Sequence, residues 1–205
     1  MKLTVDGIEQ MAPMRALIRR VPATAKRAAA SAINRVARSV SVESAKHISE
    51  RYNLPAAYVS DQIRVQEARG ENPIAVVSAR RRAVRLARFG AQQLTRAAER
   101  AKGDTRRGIA AGRAQAGVSV NVRRGAARAT LRHAFMLPLR AGKEAGGNGM
   151  GIFTRNGDVL RHRYGPSPHK VFAWWVQENA EDIRNRLART WAAETKSLIR
   201  KGTRA

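Results

Sequence analysis

The feature that most constrains the fold is a run of small apolar residues returning every three to four positions from Ala25 to Tyr52. Ala25, Ala29, Ala32, Ile33, Val36, Val40, Ala45, Ile48 and Tyr52 form one stripe, while Lys26, Arg27, Arg35 and Arg38 lie elsewhere on the wheel. This is the α-helical period, sustained for about eight turns; a strand, with its period of two, cannot carry it. Pro22 fits the first position of such a helix, and Asn53-Leu54-Pro55 ends it. An alanine stripe lets helices approach closely but buries little surface per residue. With aromatics at 5% of 205 residues, the core is expected to be thin for its length. Such a chain draws stability from packing against copies of itself or against neighbours.

Around this helix the pattern changes. Met1 to Val5 alternates like a short strand, and Asp6-Gly7 opens a first helix that Val21-Pro22 closes. Gln62 to Val65 and Pro73 to Val77 read as strands, and Arg80 to Gly90 as a third in which Val84, Leu86 and Phe89 alternate with arginines. Ala91 to Arg113 is polar, alanine-rich and punctuated by Gly103, Gly108 and Gly112, which reads as a mobile loop or insertion. Val118 to Val122 alternates, Arg123-Arg124-Gly125 turns, and Thr130 to Leu139 is a strand interrupted at Pro138. Ala141 to Gly149 is glycine-dense and reads as a flexible loop, Ile152 to Arg155 as a strand, and Asn156-Gly157 as a tight turn. Ser167 and Pro168 start a last helix with Val171, Phe172, Trp175, Val176, Ile183, Leu187, Trp191 and Leu198 on its apolar positions. Glu178, Glu181 and Asp182 lie in its first half, and Arg200 and Lys201 close it ahead of Gly202, an arrangement that complements the helix dipole.

The expected class is α+β, with N-terminal helices (one long and alanine-rich), a central antiparallel β-sheet with long loops, and a long C-terminal helix. The regions would be 1–60, then 61–165 with mobile loops near 91–117 and 141–150, then 166–205, together one structural unit.

Forty Lys and Arg against fifteen Asp and Glu give a net charge of +25. An isolated monomer pays for this in self-repulsion, which an acidic partner relieves. Nucleic acid and a negatively charged protein surface would serve equally. The densest basic run is Arg80, Arg81, Arg82, Arg85 and Arg88, followed by Arg106, Arg107, Arg123 and Arg124; these are the candidate contacts to DNA or to an acidic partner. The plainer alternative is a solvated face that keeps the chain soluble. Only Phe89 interleaves with the arginine run, which disfavours base stacking on single strands, and no helix-turn-helix, zinc-finger or RNA-recognition pattern appears. Trp175 and Trp191 lie on the apolar face of the last helix and read as core, whereas Trp174, one residue off that face, is a candidate interface anchor.

Chemistry is sparse. Cysteine is absent, which removes disulfides, thiolate nucleophiles and cysteine zinc sites. Gly165-Pro166-Ser167-Pro168-His169 lacks the final glycine of a nucleophile elbow and reads as a helix cap. The glycines from Gly146 to Gly151 are not followed by Gly-Lys-Ser/Thr and do not make a phosphate loop. His47, His133, His162 and His169 are dispersed, and the carboxylates do not cluster as metal ligands. The expectation is a non-enzymatic chain without metal or cofactor. The N-terminal segment has no uninterrupted apolar stretch of a signal peptide, and no apolar run has the length of a membrane span, so a soluble chain is expected.

Several segments, in this order, resemble the minor tail protein Z family of siphophages and related prophages. They are Ala32-Ile33-Asn34-Arg35-Val36-Ala37; Val77 to Arg82 leading into Leu86-Ala87-Arg88-Phe89; Ala134-Phe135-Met136; Gly151-Ile152-Phe153-Thr154-Arg155; Tyr164-Gly165-Pro166-Ser167; and the run through Asn179, Ile183, Arg184 and Leu187 to Arg200-Lys201. The resemblance implies a structural, tail-completion component of a phage virion at the head-proximal end of the tail, assembled in the host cytoplasm. Its implied partners are the tail terminator and the head–tail joining proteins, with non-specific contact to packaged DNA. Because tails are six-fold, it further implies a homo-oligomeric ring, with a hexamer as the candidate copy number. The alternative is a general basic nucleic-acid-binding protein without sequence specificity.

Overall fold

The structure is a computed structural model that describes residues 2–5, 23–69, 73–139 and 149–202. The first helix expected between Asp6 and Val21, and all but Gly149 of the loop expected from Ala141 to Gly149, lie outside the described residues. The chain forms two compact units: unit 1 is Met1–Ile48, Val59–Arg81 and Pro168–Ala205, and unit 2 is Ser49–Tyr58 and Arg82–Ser167. The class is α+β, with a long helix near the N-terminus, small sheets in the middle and a long helical C-terminus.

Unit 1 is built on helix α1 (Ala23–Arg51), whose bounds follow the alanine periodicity closely. Ala28, Ala29, Ala32, Ile33, Val36, Ala37, Val40 and Ile48 are buried. The stripe passes through Ser44, fully buried, rather than Ala45. The Ser44 hydroxyl donates to the Ser41 carbonyl at 3.0 Å, which satisfies it inside the core. A short helix α2 (Ala56–Asp61) leads into strand β2 (Ile63–Gln66) and then β3 (Ile74–Ala79). With β1 (Lys2–Val5) these make a three-stranded sheet in the order β1-β3-β2, β1 parallel and β2 antiparallel to β3. Ala75, Val77 and Ala79 alternate into the core, and helix α3 (Pro168–Glu178) packs on this strand through its own buried Val171, Phe172, Trp175 and Val176.

The single last helix of the sequence reading is divided at Asn179, after which α4 (Ala180–Gly202) continues. Both the backbone N–H and the side-chain amide of Asn179 donate to the Trp175 carbonyl, at 3.0 and 2.7 Å, and the Asn179 carbonyl accepts from Ile183 N–H at 3.0 Å. Helices α1 and α4 run antiparallel, cross-linked by Arg35–Glu194 at 3.3 Å and Arg186–Glu43 at 2.5 Å.

Unit 2 consists of two antiparallel sheets. The first is β4 (Gln92–Ala97), β5 (Arg113–Val120) and β6 (Ala129–Leu131), in the order β4-β5-β6. The second is β7 (Ala134–Pro138), β8 (Met150–Asn156) and β9 (Val159–His162), in the order β7-β8-β9. Three expectations are corrected here. Ala91 to Arg113, expected as a mobile loop, contains β4 and leads into β5; its polar strand residues pair across a hairpin whose register shifts at Leu94/Thr95, opposite Gly117 at φ +115°. Polar, alanine-rich composition hid this strand because much of its ladder rests on backbone bonds and side-chain amides rather than apolar alternation. Thr130 to Leu139 is two strands in different sheets, separated at Arg132-His133.

The third correction concerns Arg80 to Gly90, which is not a strand. Val84, Leu86, Ala87 and Phe89 are all buried, a spacing that period two cannot produce. A 3-10 turn at Leu86–Arg88 produces it instead. The segment is fixed by Leu86 N–H donating to the Arg163 carbonyl at 3.2 Å and Gly165 N–H to the Val84 carbonyl at 2.8 Å. Gly165 lies against the Phe89 ring so closely that a Cβ there would stand 2.5 Å from Cε2. The Asn156-Gly157 turn falls as expected, joining β8 to β9 with Gly157 at φ +57°.

Candidate functional site

The nine candidate arginines do not form one row. Arg80 and Arg81 end their segment of unit 1 and the other seven belong to unit 2. Arg80 is exposed and its guanidinium donates to the Gln62 side chain at 3.2 Å. Arg82 is exposed, and Arg85 is half-buried where its backbone bridges Tyr164. Arg88 stacks on the Tyr58 ring, 4.3 Å from its centroid.

Arg107 is half-buried: its Nε donates to Asp104 at 2.6 Å and its Nη1 to Gln115 at 3.0 Å. Asp104 also accepts from the Arg107 backbone N–H, capping the 3-10 turn Thr105–Arg107, and the Arg107 guanidinium holds the Asp104 carboxyl below its ordinary range. Arg124 donates to the Tyr52 and Leu54 carbonyls, both at 3.3 Å. Arg106 and Arg123 are exposed. Arg88, Arg107 and Arg124 therefore build unit 2, and Arg82, Arg106 and Arg123 face solvent. Arg128, which continues the same basic run, is structural as well, bonding the Gly90 and Ser119 carbonyls.

Only an acceptor census separates these roles, and sequence does not supply one. Gln93 was missed for the same reason: its amide donates to the Gly117 carbonyl at 2.7 Å and accepts from Met136 N–H at 3.0 Å, tying the two sheets of unit 2 together. In unit 1, Asn34 likewise makes a reciprocal pair with the Ala68 backbone, at 3.0 and 2.7 Å.

A second surface, invisible in the sequence, lies on the β7-β8-β9 sheet. One face buries Ala134, Met136 and Ile152. The other carries Phe135, Phe153 and His162 directly opposite one another across the three strands, with Tyr164 next along. Their rings stack in series, with centroids 6.4, 4.6 and 4.5 Å apart. Gly151 makes room for them: a Cβ there would meet Phe153 at 2.7 Å and His162 Nε2 at 3.0 Å. The buried Nε2 of His162 has no hydrogen-bond partner among the described residues, and its Nδ1 lies 3.1 Å from the Tyr164 hydroxyl. Burial, reinforced by the positive charges of Arg85 and Arg82, pushes the imidazole pKa down. The same face continues into a groove of about 680 Å³ lined by Phe135, Leu137, Pro138 and Leu160, with Arg106, Arg107 and Arg155 beside them and with Gln115 and the Arg107-paired Asp104 also at its wall.

Charge is unevenly divided. Unit 2 has nineteen Lys and Arg against five Asp and Glu, and unit 1 has twenty-one against ten. Among the described residues, no group of three or more His, Cys, Asp and Glu could hold a metal ion, and no helix is long and apolar enough to cross a membrane. Trp174 is 47% exposed on α3, with the Lys170 ammonium 5.2 Å from its ring centroid, while Trp175 is buried.

The family described as prophage minor tail protein Z (GPZ) matches residues 9–201. The chain belongs to this family. As a minor tail protein Z it is a structural component of a bacteriophage tail, located in the virion tail among other tail components. Comparison with curated proteins and with solved structures found no match. Four of the segments that carry the minor tail protein Z resemblance meet in unit 2, where Phe89 packs on Gly165, Phe135 stacks with Phe153, and Tyr164 follows His162 in the same ring series; the Ala32–Ala37, Val77–Arg81 and Asn179–Lys201 stretches belong to unit 1.

Proposed function

We propose that this chain is a tail-completion component at the head-proximal end of the tail, part of the head–tail connection, assembled as a ring and without catalytic activity. The observation that carries the reading is the charge of unit 2, nineteen basic residues against five acidic ones on a scaffold whose own arginines brace its backbone. A tail component at the head junction meets packaged DNA and neighbouring subunits, and both reward exposed guanidinium groups. Arg82 and Arg123, exposed and remote from any carboxylate pairing described above, are the residues we assign to such contacts.

The test is a phage carrying Arg82→Glu and Arg123→Glu. The purified variant keeps its fold, since surface substitutions of this kind change stability by about 0.5 kcal/mol or less. Infectivity falls, and heads and tails accumulate unjoined. Normal titres with joined particles would overturn the assignment. A second reading, general binding to nucleic acid without sequence specificity, is favoured by the net charge of +25. It requires duplex affinity to fall with salt, with a log–log slope of about −0.9 per phosphate neutralised, and an affinity insensitive to salt would reject it.

A further inference from the structure

The outward face of the β7-β8-β9 sheet has the wrong composition for a solvated surface. An antiparallel sheet with one face in the core ordinarily turns polar residues outward. Here that face carries Phe135, Leu137, Phe153, Leu160 and His162, with Arg155 opposite Leu160; Leu160 is 44% exposed and the other four are half-buried. Arginine beside aromatic and aliphatic groups is the composition of a protein interface. Nucleic acid fits less well. Phe135, Phe153 and His162 stack on one another with interplanar angles of 28° and 24°, which occupies ring faces that bases would otherwise use. A phosphate backbone has nothing to bury against Leu137, Pro138 and Leu160.

The chain itself holds the complementary surface. Glu178, Glu181 and Asp182 fall within five residues at the α3–α4 junction, three of fifteen acids in the whole chain, and all three are exposed. Trp174, one turn before Glu178, is exposed beside them. Asp182 pairs with Arg186 in its own helix. Glu178 and Glu181 make no ion pair described here, and across the sheet face neither do Arg106 and Arg155.

We propose that the acidic, tryptophan-bearing α3–α4 corner of one copy docks on the apolar, arginine-flanked groove of the next. Trp174 enters against Phe135, Leu137 and Leu160, and Glu178 and Glu181 face Arg106 and Arg155. The interface is heterologous, joining unlike surfaces of identical chains, which is the geometry that builds a ring when the rotation closes. This deepens the structural reading above by naming the partner, a second copy, and the two surfaces.

Two variants of the full chain test it: Arg106→Glu with Arg155→Glu, which spoils the groove, and Glu178→Arg with Glu181→Arg, which spoils the corner. The mass in solution of the purified chain is measured for wild type, each variant and an equimolar mixture. The expected result is an oligomer for wild type, a monomer for each variant, and an oligomer again for the mixture, because an intact corner meets an intact groove at one interface and the reversed charges face each other at the next. Thermal unfolding confirms that each variant is folded. Trp174→Ala gives a second reading with no change of charge, weakening the wild-type assembly at least tenfold. A monomeric wild type, or variants that assemble as wild type does, would overturn the proposal. The Arg82/Arg123 phage experiment is independent of these residues, so the tail-junction reading can stand while this interface fails, and the reverse.

Discussion

Units 1 and 2 use the same abundant residue, arginine, in opposite ways. In unit 1 several arginines find carboxylates: Arg35 meets Glu194, Arg38 meets Glu67, and Arg186 meets both Glu43 and Asp182, while Arg80 and Arg189 take the neutral acceptors Gln62 and the Asn185 carbonyl. In unit 2, apart from Arg107 on Asp104, the bonded arginines described here are satisfied by neutral acceptors. Arg124 and Arg128 take backbone carbonyls, Arg88 takes the face of Tyr58, and Arg163 takes the Thr154 hydroxyl at 2.9 Å. A guanidinium bonded to a carbonyl is structurally satisfied yet keeps its full charge. Unit 2 can therefore be well braced and strongly cationic at once, whereas unit 1 cancels part of its charge in holding its helices together.

The largest test of this contrast is a pair of core truncations. Phe172→Ala in unit 1 and Phe89→Ala in unit 2 remove rings that are fully buried, and each is expected to cost about 3–5 kcal/mol. Hydrogen exchange resolved by residue checks it: protection should fall first in the unit that carries the substitution. Equal loss in both units from either substitution would dissolve the distinction between them.

Next in size is Gly165→Ala, expected to cost roughly 1–3 kcal/mol by overpacking, since the added methyl meets a Phe89 ring with no exposed surface to yield into. Denaturant melting measures it, and a neutral result would show that the Val84–Phe89 turn is loosely held.

The smallest effect is the response to acid, which has the same sign in both units and differs in the pH at which it begins. Hydrogen bonding to Arg186, aided by Ser39, holds the Glu43 carboxyl below its ordinary range, so its contribution is complete above about pH 4.3 and is lost as pH falls through the lowered value. His162 is also lowered, by burial first and then by Arg85 and Arg82. For a histidine this means the unfolded chain takes up the proton before the folded one does. Unit 2 accordingly begins to lose stability as pH drops below roughly 6.5, while unit 1 holds until the carboxylate range. Exchange protection followed from pH 7 downward should decline in unit 2 first, and His162→Phe, which keeps a stacked ring, should remove that early decline. An early decline that survives the substitution would place its origin elsewhere.

The legibility of the chain follows the same division. The α1 helix was readable almost to the residue because its period is local: the buried Ala29, Ile33, Val36, Val40, Ser44 and Ile48 follow one another at three or four positions. The Val171–Leu187 stripe was readable for the same reason, although no period reveals the division at Asn179, whose side-chain amide also donates to the Trp175 carbonyl. Unit 2 was misread where its order depends on distant partners. Gln92–Ala97 is a strand because β5 lies beside it, and Arg80 to Gly90 turns because Phe89 must reach Gly165. The candidate arginines were found by density, but their partition into bracing and outward-facing groups depends on which carbonyls the fold delivers.

The amino-acid order alone determined the helical ends of the chain, the α+β class, the family and the overwhelming positive charge, since composition and near-neighbour spacing encode these directly. The tertiary structure alone decided which arginines stay free and that Phe135, Phe153, His162 and Tyr164 form one stacked row. Both depend on contacts between residues far apart in the chain, and such contacts exist only once strands have chosen their neighbours and backbone acceptors have been brought within reach.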